Sequence, residues 1–154
     1  MSEEFERDLS HCKRELDAAR AELLGVVTPL KDDDLARGRR GGWTVRRVLE
    51  HVIWSEWLYS RLVTHLRGLP VAGDDVSGAP SSADDAVQRL EGSRKALVAA
   101  VDGVDEESFY RLGTIGHEEY SILSILENEI NHEREHAEQI GAIVDVPPEG
   151  QASA

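Results

Sequence analysis

The segment that most constrains this chain is residues 120–144, YSILSILENEINHEREHAEQIGAIV, which holds no proline and a single glycine near its end. Ile122, Ile125, Leu126, Ile130, Ala137, Ile140, Ile143 and Val144 recur at helical spacing, which predicts one long amphipathic helix. At about 100° per residue, His132 and His136 fall near one edge of the apolar stripe. Side chains four apart on a helix are neighbours, so both imidazoles can converge on one point. A polar pair facing the inside of a small helical protein calls for an explanation.

The remaining chain supplies partners for that helix. Residues 3–24 predict a first helix with Phe5, Leu9, Cys12, Leu16, Ala19 and Leu23 on its buried stripe. Cys12 lies mid-stripe, where apolar surroundings raise a thiol pKa and leave it inert, while His11 points to solvent. Residues 25–42 read as a connection, and the Gly38–Gly42 glycine/arginine cluster as a flexible approach rather than a phosphate loop, whose spacing it lacks. Thr44 is a natural N-cap for a second helix reaching residue 67, with Trp43 stapled onto Val48 and Gly68 and Pro70 ending it. Val45, Val48, Leu49, Val52, Tyr59, Leu62, Val63 and Leu66 form its inner stripe. His51 falls on the edge of that stripe, Glu56 within it, and Trp54 and Trp57 off it, as aromatic surface for another helix or a second subunit.

Residues 68–82 are rich in glycine, proline, serine and aspartate and read as a loop. Ser82 then caps a third helix over 83–101, with Ala86, Leu90, Leu97 and Ala100 inward. Residues 102–119 are expected to be a plain connection, with His117 at the surface. The architecture is therefore all-α, a four-helix bundle over residues 1–146 followed by a disordered tail over 147–154. The second and fourth helices also begin alike. Trp43-Thr44-Val45 and Val48-Leu49-Glu50-His51 align with Tyr120-Ser121-Ile122 and Ile125-Leu126-Glu127-Asn128, through a shared capped start or an ancient duplication.

Charge narrows the function. Thirty acidic against seventeen basic residues give a net charge of −13, which argues against nucleic acid and against an anionic membrane surface. No run of about 18 apolar residues and no signal-like N-terminus is present, so neither a membrane span nor secretion is expected. One cysteine makes no intramolecular disulfide and suits a reducing cytoplasm.

The chemistry-bearing set is His51, His132 and His136. Imidazole is a common ligand for zinc, nickel, iron and copper, and three rings from two rigid helices would leave coordination positions open, as in a catalytic site. The same residues also fit a polar cluster at the mouth of the bundle, hydrogen-bonded to Glu56, Glu129 or Glu133. Those glutamates would equally serve as acceptors behind metal-bound imidazoles. The residues alone leave both readings open.

The sequence GWTVRRVLEH at 42–51, followed far downstream by NHEREHAEQI at 131–140, is similar to the DinB/YfiT-like superfamily of metalloenzymes. In that family a tryptophan and a hydroxyl residue open the second helix, which carries the first metal histidine. A His-x-x-x-His followed by Gln-Ile supplies the other two. The matching positions are His51, His132 and His136, with Gln139-Ile140 behind them; Ala137-Glu138 stands where Arg-Gly is frequent. The resemblance implies a bundle, often a homodimer, holding a divalent metal, zinc or nickel first and iron or manganese next. Relatives include thiol-dependent S-transferases and mycothiol-dependent isomerases, so it implies a small-molecule thiol and an electrophile as substrates. A carboxylate among Glu56, Glu129 and Glu133 would move protons. The chain ends just past the expected bundle, so no counterpart of the isomerases' extra C-terminal domain is expected.

Overall fold

Each long helix starts on a hydroxyl. In the computed structural model, which describes residues 1–71 and 75–145, Ser2, Thr44, Ser82 and Ser121 accept hydrogen bonds from the backbone N–H groups of Phe5, Arg47, Asp85 and Ser124. These bonds satisfy amides that a helix N-terminus leaves unpaired, and they fix four boundaries by local chemistry alone. The helices are α1 (Glu3–Val27), α2 (Val45–Leu66), α3 (Ala83–Val101) and, last in the chain, α5 (Ile122–Val144). The first helix runs one turn beyond expectation, because Val27 is buried and adds to the same stripe.

Two intervening segments are more ordered than the sequence suggests. Residues 102–119 hold a short helix, α4 (Glu106–Tyr110), and an antiparallel hairpin of β1 (Gly113–Ile115) and β2 (Glu118–Tyr120). Phe109 anchors this segment by burying its ring fully, edge-on to Phe5 at 5.4 Å between centroids. Gly113 passes close to the tip of Leu66, which would have to turn aside for an added Cβ, and Gly116 makes the tight turn at φ +65°. The approach to α2 is not the flexible linker expected. A single 3-10 turn (Asp32–Ala36) buries Leu35, and Gly38 then pairs with Thr44 in an isolated antiparallel bridge. That closure holds Trp43 at the start of α2. The proposed tail at 147–154 lies outside the described residues, as do residue 146 and residues 72–74 of the loop expected at 68–82.

Cross-helix bonds give the directions. Phe5 shares a cluster with Ile122, Arg20 meets Glu133 and Val26 lies beside Gly141, so α1 and α5 advance together. Arg46 meets Pro80, Glu56 meets Ser93, and Arg67 meets Ala100, so α2 and α3 do likewise. The two parallel pairs pack antiparallel, with α2 against α5. Val63 shares a cluster with Ile122 and Leu126, while Val45 and Leu49 share the other with Ile140 and Ile143. The core is thus split in two. Between the halves lies a buried charged layer of Arg20 (α1), Glu56 (α2), Arg94 (α3), and Glu129 and Glu133 (α5).

Candidate metal centre

His51, His132 and His136 meet at the α2–α5 seam. The Nε2 atoms of His51 and His132 are 2.9 Å apart, and those of His132 and His136 are also 2.9 Å apart. The rings stand edge to face, with centroids 4.3–5.0 Å from one another. All three offer ligand atoms within 4.8 Å of each other, and all three are partly buried. Antiparallel packing creates this site, because it sets one turn of α2 beside two successive turns of α5 whose inner positions are both histidine.

The surroundings favour the neutral form of His51 and His132. Burial, then the neighbouring His136 and His51, pushes the His132 pKa down to about 4. Burial, then His136 and Arg47, lowers that of His51. Two lone pairs as close as these repel unless a proton or a cation lies between them. Neutral imidazoles converging through one nitrogen each are the donor set that a borderline divalent ion takes, so these residues fit such an ion.

Two neighbours orient the cluster. Gln139 Oε1 sits 2.7 Å from His136 Nδ1, which aims that ring's Nε2 at the shared point. Trp43, 41% exposed, lies edge-on to His51 at 5.2 Å, and the Arg47 guanidinium stands 5.1 Å over its indole. Trp43 therefore walls the mouth of the site. A groove of about 380 Å³ runs alongside, lined by Arg39, Trp43, Glu135, Glu138 and Gln139.

The three glutamates fall one turn deeper. Glu56 and Glu133 do not touch the imidazoles; every one of their oxygens accepts from a guanidinium. Arg20 Nη2 reaches Glu56 at 2.7 Å and its Nε reaches Glu133. Arg94 Nε reaches Glu56 at 2.6 Å and its Nη2 reaches Glu133 at 2.5 Å. Ser93 adds a hydroxyl to Glu56. Glu129 stands apart, because neither of its oxygens has a hydrogen-bond partner. Burial, then Glu56 and Glu133, raises its pKa well above the usual carboxylate range, which favours its protonated form. Three carboxylates this close could suggest a second cation site. However, two arginines already occupy the oxygens of Glu56 and Glu133, so the layer is balanced by guanidinium and not by metal.

Sequence reasoning passed over Arg20 and Arg94. An arginine inside an apolar stripe reads as a stem lying along the surface, and the signal available was Glu56 and Glu133 at inner positions needing cationic partners. His11 and His117 are exposed as expected. Cys12 is 1% exposed, and burial, Glu127 and Asp8 push its thiol up to about 11. Asn128, which aligns with His51 in the similar starts of the two helices, is exposed and takes no part in the site. Among the described residues, no helix is long and apolar enough to cross a membrane.

Comparison with known proteins agrees with this architecture. The chain is similar to TT2238, a four-helix bundle protein, at 22% identity and a TM-score of 0.67, over 86% of this chain and 96% of that one. It is also similar to a DinB-like protein from Bacillus cereus ATCC 10987, at 18% identity and a TM-score of 0.71, over 87% of this chain and 89% of that one. No curated protein matches the sequence. The family model of the DinB superfamily matches residues 15–140, a span running from α1 through both histidine-bearing helices, and the chain belongs to that superfamily.

Proposed function

We propose that this protein is a divalent-metal-dependent enzyme that transfers a low-molecular-weight thiol, of mycothiol or bacillithiol type, to an electrophilic small molecule in the cytoplasm. The observation that carries the reading is the convergence of three Nε2 atoms from two helices at a partly open seam. His51, His132 and His136 would hold the ion, zinc or nickel before iron or manganese, and when bound it supplies the Lewis acidity that favours a thiolate at neutral pH.

The chain's own residues do the rest. Burial keeps His51 and His132 unprotonated, so their lone pairs are available near neutral pH. Gln139 holds His136 in register, and Trp43 with Arg39 borders the groove through which a small molecule would approach. In the transfer, a sulfur electron pair forms the new bond to the electrophilic carbon. The thiol proton passes to solvent water, and the leaving group departs with its bonding pair. Glu56 and Glu133 are poor proton carriers because their guanidinium partners hold them.

The test begins with elemental analysis of protein purified without a metal-affinity tag. The metal-loaded protein is then incubated with mycothiol, bacillithiol or glutathione and a model alkylating electrophile. Metal-dependent loss of free thiol is the expected result. A protein that takes up neither zinc nor nickel overturns the metalloenzyme reading.

One observation favours a second reading, a non-catalytic metal- or ligand-binding homodimer. Trp54 is 45% exposed on α2, and Leu69 and Val71, 46% and 50% exposed, line a groove with Trp57, apolar surface of the kind that subunits cover. Metal uptake without thiol consumption, together with a dimeric mass in solution, would support it.

A further inference from the structure

Of the three carboxylates one turn below the imidazoles, only Glu129 has hydrogen-bonding capacity to spare. Glu56 and Glu133 spend every oxygen on Arg20 and Arg94, whereas both Glu129 oxygens are unpartnered although the residue is 0% exposed. His132 shows the complementary deficit. Its Nε2 faces the other two rings, while its buried Nδ1 has no partner. The other two imidazoles have neighbours of their own, Gln139 on His136 and Trp43 against His51.

Helix geometry brings the two deficits together. Helical side chains lean back over the turn three and four residues earlier, which for His132 means Glu129 and Asn128. Asn128 is exposed and Glu129 is buried, so the acid is the side chain of that turn placed to serve the buried Nδ1, although neither group is hydrogen-bonded in this structure. Buried polar groups in native proteins are almost always paired, and an imidazole that binds metal through one nitrogen nearly always engages a carboxyl, carbonyl or water through the other.

We propose that Glu129 is the positioning residue of His132: its carboxyl engages Nδ1 and thereby fixes the ring with Nε2 toward the point shared with His51 and His136. The purpose of this contact rests on the metal reading, but the contact itself does not. The same carboxyl also ties the histidine seam to the charged layer beneath it.

Long-range proton–nitrogen spectra of the full chain, labelled at histidine nitrogen and recorded metal-free and with zinc, test the contact. In the wild type His132 should occupy a single tautomer. Glu129→Leu should mix its tautomers and weaken zinc binding by about 10–100-fold. Glu129→Gln keeps a carbonyl acceptor and should restore both readouts toward wild type. Tyr59, which lies within electrostatic reach of Glu129, supplies the control: Tyr59→Phe should leave the His132 spectrum unchanged. An unaltered His132 spectrum in Glu129→Leu overturns the proposal, and so does an equal change in Tyr59→Phe.

Should Glu129→Leu fail to fold, Glu129→Gln decides. Its His132 Nδ1 resonance moves if an amide has replaced the carboxyl as partner and stays put otherwise. A wild-type chain that takes up neither zinc nor nickel overturns the metal reading alone, because the metal-free spectra still decide the contact.

Discussion

Glu56 on α2 and Glu133 on α5 face each other across the bundle core and are clasped by the same two guanidiniums, Arg20 from α1 and Arg94 from α3. One residue from each long helix thus contributes to a single closed ring of charge. Two cations balance two anions, so the layer tolerates its burial, while burial favours the protonated form of Glu129 beside it.

Removing one member should be costly. Arg20→Met leaves two buried carboxylates short of a donor and should destabilise the protein by about 3–5 kcal/mol in denaturant unfolding. Arg20→Met combined with Glu133→Leu should recover part of that loss, since an apolar replacement of the pair avoids the unpaired charge. Additive losses in the double variant would show that the two residues do not act as a pair.

For the metal centre, His132→Ala should abolish stoichiometric zinc or nickel binding while far-ultraviolet dichroism remains that of a folded helical protein. His51→Ala and His136→Ala should do the same, because each removes one of the three converging nitrogens. Unchanged metal affinity in any of the three, read by titration against a competing chelator, would remove that residue from the ligand set.

Gln139 tests orientation apart from ligation. Gln139→Leu keeps the volume but deletes the oxygen 2.7 Å from His136 Nδ1, and should weaken metal binding by about 10–100-fold without unfolding the chain. Equal affinity in variant and parent would show that the contact does not hold the ring.

Acid should unfold the metal-free protein partly through His132. Its folded pKa is about 4, below the 6.5 of an unperturbed histidine. Above pH 6.5 the ring is neutral in both states and adds no slope. Between 6.5 and about 4 the unfolded chain binds the extra proton, so falling pH favours unfolding across that window. His132→Gln should flatten the stability curve there relative to wild type. Parallel curves would contradict the depressed value.

Cys12 should be silent in the native state. With the thiol 1% exposed and its pKa at about 11, alkylation by iodoacetamide at neutral pH should proceed only through unfolding, and its rate should rise steeply with denaturant. Rapid native-state modification would show a thiol more accessible than its packing implies.

The sequence by itself determined the helices and their starts, because periodicity, hydroxyl caps and helix breakers act within a few residues of one another. Ile122, Ile125 and Leu126 mark the last helix, and Ser121 and Thr44 cap as their positions predict. The spacing of His132 and His136 was equally legible, since one turn of one helix fixes it. Tertiary structure alone decided what meets what. That Arg20 clasps Glu133, and that Gly113 packs against the tip of Leu66, depends on which helices lie side by side and in which direction. The division among the glutamates was likewise invisible in one dimension. Glu129 and Glu133 sit one helical turn apart with the same side chain, yet one spends its oxygens on guanidiniums and the other has none within reach. Side-chain chemistry is local, but the partners that set its charge arrive from helices far away in the chain.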